Sequence, residues 1–370
     1  MGGNMNRFSI GNKFELGKKN MTIVIIILLL CMAPFFLSDF RTNLLGKFVA
    51  FAILALGIDL IWGYTGILSL GHGVYFGLGA YCMAMYLKLE AGGGRLPDFM
   101  SWSGRETLPW FWKPFGAAPI AIFMALCLPA LIALAIGYLT FKNRIRGVYF
   151  SILTQALSII FVVLFVGQQE LTGGTNGITN FKTIFNFSLA DNRTKLWLYY
   201  ISVALLLLAF IFCRFIINKR VGRVLIAIRD GENRARFSGY NPTTYKVFVY
   251  CISAVLAGLA GAIYVPQVGI ISPAEMGIVP SIEMVIWVAI GGRGSLNGAI
   301  IGAILVNLMK SGISEKFPAV WSYFIGIAFV VVVIFMPTGL VGAFNKLKKK
   351  LFSLKVGKAG QLAQSNVPVE

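Results

Sequence analysis

Apolar runs close to twenty residues long recur along this chain of 370 residues, and that repetition decides most of what it can fold into. The runs Met21 to Ser38, Leu44 to Trp62, Ala117 to Phe141, Val148 to Gly167, Leu196 to Ile217, Val247 to Gly269 and Trp321 to Met336 each approach the roughly 20 residues that carry a helix across a bilayer. A glycine-rich stretch ending at Leu87 and the segments Ile282 to Ile290 and Ala299 to Met309 are weaker members of the series. The pattern predicts an all-α fold: a polytopic transmembrane bundle of about ten spans, some of them broken or re-entrant. Composition agrees, since 57% of residues are apolar and 13% charged, against about a quarter charged in soluble domains.

The formal charge of +19 would suggest nucleic acid in a soluble protein, so its placement matters more than its size. Lys13, Lys18 and Lys19 precede the first span, Lys142, Arg144 and Arg146 follow the fourth, 214–246 follows the sixth, and 346–350 follows the last. With ten spans all these segments fall on the side of the N-terminus, as cytoplasmic connections do. The basic balance is topological, and both termini are expected in the cytoplasm. The expected organisation is a cytoplasmic segment 1–20, a permease body 21–342 containing a cytoplasmic connection 218–242, and a basic cytoplasmic tail 343–370.

Several classes are set aside. Met21 to Ser38 is long for a secretory signal core, and Leu37-Ser-Asp-Phe-Arg41 offers no small-residue cleavage site. The five cysteines lie in or beside apolar spans without metal-ligand spacing, and the single histidine, His72, allows neither a metalloenzyme motif nor a histidine-based triad. No Walker-type phosphate loop occurs, so the chain is expected to hold no cofactor of its own and to be no enzyme.

Trp62 to Gly79 departs most from a lipid-facing helix: Gly63, Gly66, Gly71, Gly73, Gly77 and Gly79 interrupt it. Glycine weakens helices, and irregular backbone at membrane depth is tolerated only beside protein or a cavity. The segment is therefore expected to break and to line a path through Ser69, Gly71, His72 and Gly73, with Thr154 and Gln155 adding neutral polar groups. Two roles are open to His72: contact with substrate, or satisfaction of backbone groups freed by the break. Asp59 and Glu283, at or inside spans, are expected to pair within the bundle or to meet substrate. Ser69-Leu-Gly-His-Gly73 with Gly77 also echoes Ser295-Leu-Asn-Gly298 with Gly302, so the two breaks are expected to face each other if the halves repeat.

In the connection 218–242, Asp230 is placed to cap a short helix starting near Gly231, with Gly239 and Pro242 ending it. An exposed helix with Arg234, Arg236 and Phe237 suits a partner protein or an anionic lipid surface. The aromatic run Leu108 to Phe115 reads as an interfacial belt or an external docking surface.

These segments resemble the permease subunits of branched-chain amino acid and urea ABC transporters from end to end. The resemblance is carried by Gly63-Tyr-Thr-Gly-Ile-Leu-Ser-Leu-Gly-His-Gly73, Gly147-Val-Tyr-Phe-Ser-Ile-Leu-Thr-Gln-Ala156, Gly173-Gly-Thr-Asn-Gly177, Gly222-Arg-Val-Leu-Ile-Ala-Ile-Arg-Asp230, Tyr264-Val-Pro-Gln267 and Trp287-Val-Ala-Ile-Gly-Gly-Arg-Gly294. The loop Leu96 to Pro114 is similar to the urea subgroup. The resemblance implies an inner-membrane importer built with a second permease, two cytoplasmic ATPase subunits that use ATP, and an external solute-binding protein. It implies urea as the solute, with branched-chain amino acids as the alternative and a passive urea or amide channel as a third reading. It further implies coupling to the ATPases through Arg229, Asp230, Glu232, Arg234, Ala235, Phe237 and Gly239. Of the family's coupling pattern only Ala235 and Gly239 match.

Overall fold

The computed structural model describes residues 22–93 and 95–317 and, after them, only 323, 326, 327, 330, 331 and 339–342. The segments 1–20 and 343–370 and most of the expected span Trp321 to Met336 lie outside the described residues. The helices are α1 (Asp39–Thr65), α2 (His72–Gly92), α3 (Ala118–Lys142), α4 (Val148–Gly167), α5 (Asn192–Asn218), α6 (Arg220–Phe237), α7 (Pro242–Val268), α8 (Ile278–Gly291) and α9 (Leu296–Lys316). Six of them, α1, α3, α4, α5, α7 and α9, are long and apolar enough to cross a membrane. An apolar helical segment Thr22–Phe35 precedes α1 and, like α8, is shorter than a usual span.

Local chemistry sets the ends. Asp191, Asn241 and Ser295 cap α5, α7 and α9 by accepting the amide hydrogens of Arg193, Thr243 and Gly298, which satisfies donors that a helix start leaves free. Pro242, read from the sequence as a stop, opens α7 at a position where its missing amide costs nothing.

Packing then sorts the helices. The most apolar windows of α1 and α7 are 89% and 67% buried, those of α3 and α4 only 28% and 22%. So α1 and α7 form the axis of the bundle, with α2 and α3 against α7 and α5 and α9 against α1. Gly79 and Gly258 make the α2–α7 contact possible, because a Cβ on Gly79 would run into the backbone of Gly258. The outer faces of α3 and α4 present Leu131, Leu134, Ile152 and Val163, the apolar exterior a bilayer requires.

The basic connections gather at one end. Arg146 pairs with Glu232, Arg229 donates to the Gly63 carbonyl, Arg293 to that of Trp62, and Thr243 to that of Phe141. The opposite end carries the longer loops. There Lys88 meets Asp98 at 3.2 Å and Arg105 meets Glu170 at 2.6 Å. Strands β1 (Ile178–Thr179) and β4 (Ile270–Ile271) pair antiparallel there, as do β2 (Thr183–Ile184) and β3 (Phe187–Ser188). The aromatic run does not behave as one belt: Trp110 is exposed, whereas Trp112 is buried beside Phe99.

Candidate functional site

The expected break is present. Helix α1 closes at Gly66, whose left-handed backbone (φ 77°) lets its amide return to the Trp62 carbonyl. Residues 67–71 then run along α4: Ser151 Oγ donates to the Leu68 carbonyl at 2.8 Å, and the Leu70 amide donates to Thr154 Oγ1 at 3.0 Å. Thr154 passes its own hydrogen to the Ser151 carbonyl. This ladder replaces the bonds a continuous helix would make, so non-helical backbone survives inside the bundle.

Helix α2 begins at His72, which is fully buried. Its Nε2 lies 2.7 Å from Ser253 Oγ, and Ser253 donates to the Gly57 carbonyl at 2.6 Å. Since the serine hydrogen is committed to Gly57, His72 donates through Nε2, which fixes the neutral tautomer. Tyr75 and Tyr250, joined by a 2.6 Å hydroxyl contact, meet the imidazole edge-on. Ser69, Gly71, His72, Gly73 and Thr154 thus come together as close-packed interior, while Gln155, half-buried, lies round the helix from Thr154. In this conformation His72 meets a hydroxyl rather than a backbone group freed by the break: it ties α2 to α7 and, through Ser253, to α1.

The echo between Ser69 and Ser295 is corrected in its partner. The start of α2 faces the start of α8, not that of α9: the Gly73 amide donates to Ser281 Oγ at 3.1 Å, Ser281 donates to the Gly277 carbonyl, and Met276 packs against Gly77. The turn 292–295 instead seals the basic end of α1. Gly294 donates its amide to Asp59 Oδ1 at 2.6 Å, Tyr64 donates to the Gly294 carbonyl, and Arg293 stacks over Trp62. Burial and the nearby Arg229 hold the Arg293 guanidinium below its ordinary pKa, and Asp59 opposes them. Asp59 therefore pairs inside the protein, as one of its two readings held.

The connection 218–242 folds as α6, bent at Gly231 (φ −177°, ψ 82°). The second limb, ending at Phe237, is the short helix expected there. Asp230 does not cap it, because its carboxylate accepts Arg229 Nε at 2.9 Å. Glu232 is the hub. It takes Lys246 at 2.6 Å, Arg146 at 3.1 Å and Arg236 at 3.4 Å, joining α6 to α7 and to the connection between α3 and α4. A cavity of about 200 Å³ beside it is lined by Gly66, Arg146, Arg229, Glu232 and Lys246. Ala235 packs with Val224 and Ile228, Gly239 turns the chain at φ 85°, and Arg234 lies across the bend. Phe237 is left 92% exposed.

Glu283 pairs inside the protein, one of its two expected roles, with Lys310 at 2.6 Å. Sequence reasoning missed the group beside it, where Lys47 lies over the rings of Phe51 and Tyr264 while Tyr264 donates to Glu275 at 3.3 Å. Isolated lysines near helix ends carry no periodic signal. The one clue was the charge at Glu283 inside an apolar run.

A family model described as branched-chain amino acid transport system, permease component, matches residues 40–334. The LivM high-affinity branched-chain amino acid transport system permease of Escherichia coli is 26% identical, over 88% of this chain and 75% of its own length. The LivH permease of the same organism is 23% identical over 79% and 91%. A probable LivM branched-chain amino acid permease of Methanocaldococcus jannaschii is 22% identical over 82% and 93%. No solved structure matches.

Proposed function

The chain belongs to the family of branched-chain amino acid transport system permease components, and from that premise we propose that it forms, with a second permease, the inner-membrane path of an ATP-driven importer of branched-chain amino acids. The relatives favour this substrate over the urea suggested by the loop Leu96 to Pro114. ATP is used by two cytoplasmic ATPase subunits, and an external binding protein delivers the solute. This chain supplies no catalytic group.

The observation that carries the reading is the α6 elbow. A phenylalanine 92% exposed at the tip of a short, arginine-bearing limb is poorly placed in water and well placed in a partner's groove. Arg229, Asp230, Glu232 and Ala235 stiffen the limb, Gly239 ends it, and Arg234 and Phe237 present it. A push on the limb reaches Glu232 and passes through two of its ion pairs to Arg146, just before α4, and to Lys246 in α7. Helix α4 holds residues 68–70 through Ser151 and Thr154, so displacing α4 shifts the start of α2 at Gly71, His72 and Gly73. Ser69, Gly71, His72, Gly73, Thr154 and Gln155 are then the moving wall of the path rather than a preformed pocket. Coupling of this kind needs contacts that differ between the two states.

Vesicles holding the complete assembly are expected to take up labelled leucine only with ATP. Urea uptake in its place would keep the transporter class and overturn the substrate, and flux without ATP would indicate a channel. Replacing Arg234 and Phe237 together by Ala is expected to abolish uptake while leaving the chain inserted, and unchanged uptake would remove the coupling role.

A further inference from the structure

Where α1, α7 and α8 approach, the structure holds one closed charge pair and one open one. Glu283 and Lys310 are closed at 2.6 Å. Lys47 and Glu275 are not: among the described residues no carboxylate comes within 4 Å of Lys47 Nζ, which instead sits 5.5 Å from the Tyr264 ring centre and 5.6 Å from that of Phe51. Glu275 accepts the Tyr264 hydroxyl at 3.3 Å, and the charges of Glu275 and Glu283 act on Lys47. Lys47 lies eight residues inside α1, about 12 Å from its start at 1.5 Å per residue.

Ionisable side chains within a spanning helix are costly, and a closed pair can often be replaced by apolar groups without loss. An open pair gains less Coulomb attraction than a closed one, and here the rings of Phe51 and Tyr264 stand where the carboxylate would be. Phe51, stacked on Tyr264 and 4.7 Å from Trp287, adds an aromatic wall.

We propose that Lys47 and Glu275, with Tyr264 between them, are the membrane-embedded recognition site for an α-amino acid zwitterion. The solute carboxylate meets Lys47, its ammonium meets Glu275, and an apolar side chain lies beside Phe51. The site rests on the branched-chain amino acid reading, since neutral urea has no use for two separated charges.

The test uses the complete transporter in vesicles. The double variant Lys47→Met with Glu275→Gln is expected to lose at least about tenfold in kcat/KM for ATP-driven leucine uptake, while ATP hydrolysis stimulated by the binding protein persists. A pair kept for structure alone predicts undiminished uptake, and that result overturns the site. The wild-type arm separates the two failures: urea uptake without leucine uptake overturns the substrate reading and the site together, whereas equal leucine uptake by wild type and variant overturns the site alone. Should the double variant not assemble, Lys47→Arg serves, because it keeps the charge and changes its position. It is expected to raise KM for leucine with kcat unchanged, and an unchanged KM overturns the site.

Discussion

The break before α2 and the bend in α6 are both marked by glycine, and they are packed in opposite ways. Residues 66–71 are laced to α4 and end in a buried histidine tied to two other helices. The Gly231 bend is braced on one side by Glu232 and ends in a phenylalanine facing outward. Glycine and polar residues in an apolar context therefore mark irregular backbone, but burial decides what it is for. The first interruption holds the bundle together; the second offers a surface to something else.

That contrast can be broken by substitution, with thermal unfolding in detergent as the readout. Gly79→Val should have the largest effect, because its side chain meets the Gly258 backbone rather than a movable side chain; about 3 kcal/mol or more, or no folded protein, is expected. Ser253→Ala leaves the buried His72 Nε2 without its partner and should cost about 1–3 kcal/mol. Gly231→Ala should stay within about 1 kcal/mol, since its extended φ suits any residue and the new Cβ meets only the flexible Arg234 side chain. Phe237→Ala should shift stability by no more than about 0.5 kcal/mol, because the ring packs on nothing in this chain. A large loss there, or none for Ser253→Ala, would erase the distinction between the two regions.

The long helices were legible because period and length suffice for them: Leu44 to Trp62 lies within α1, Val148 to Gly167 coincides with α4, and Val247 to Gly269 nearly fills α7. Helix α2 was read only as a glycine-rich stretch, since its glycines serve contact with Gly258 and Met276 and look like breaks when those partners are unseen. Sequence placed Glu232 in the coupling region but not at its hub, because the three cations that meet it come from 146, 236 and 246. Lys47 and Glu275 were invisible for the same reason. One sits on α1 and the other in the turn before α8, and only Tyr264 of α7 brings them together.

The Glu232 hub also has a consequence for how the protein is made. Of its three cations, Arg146 and Arg236 leave the ribosome close to or well before the carboxylate, but Lys246 follows 14 residues later, inside the next helix to be inserted. The third pair cannot close until the first turns of α7 have been made. A nascent chain arrested near Asn241 would hold the elbow by Arg146 and Arg236 alone, with its tie to α7 missing.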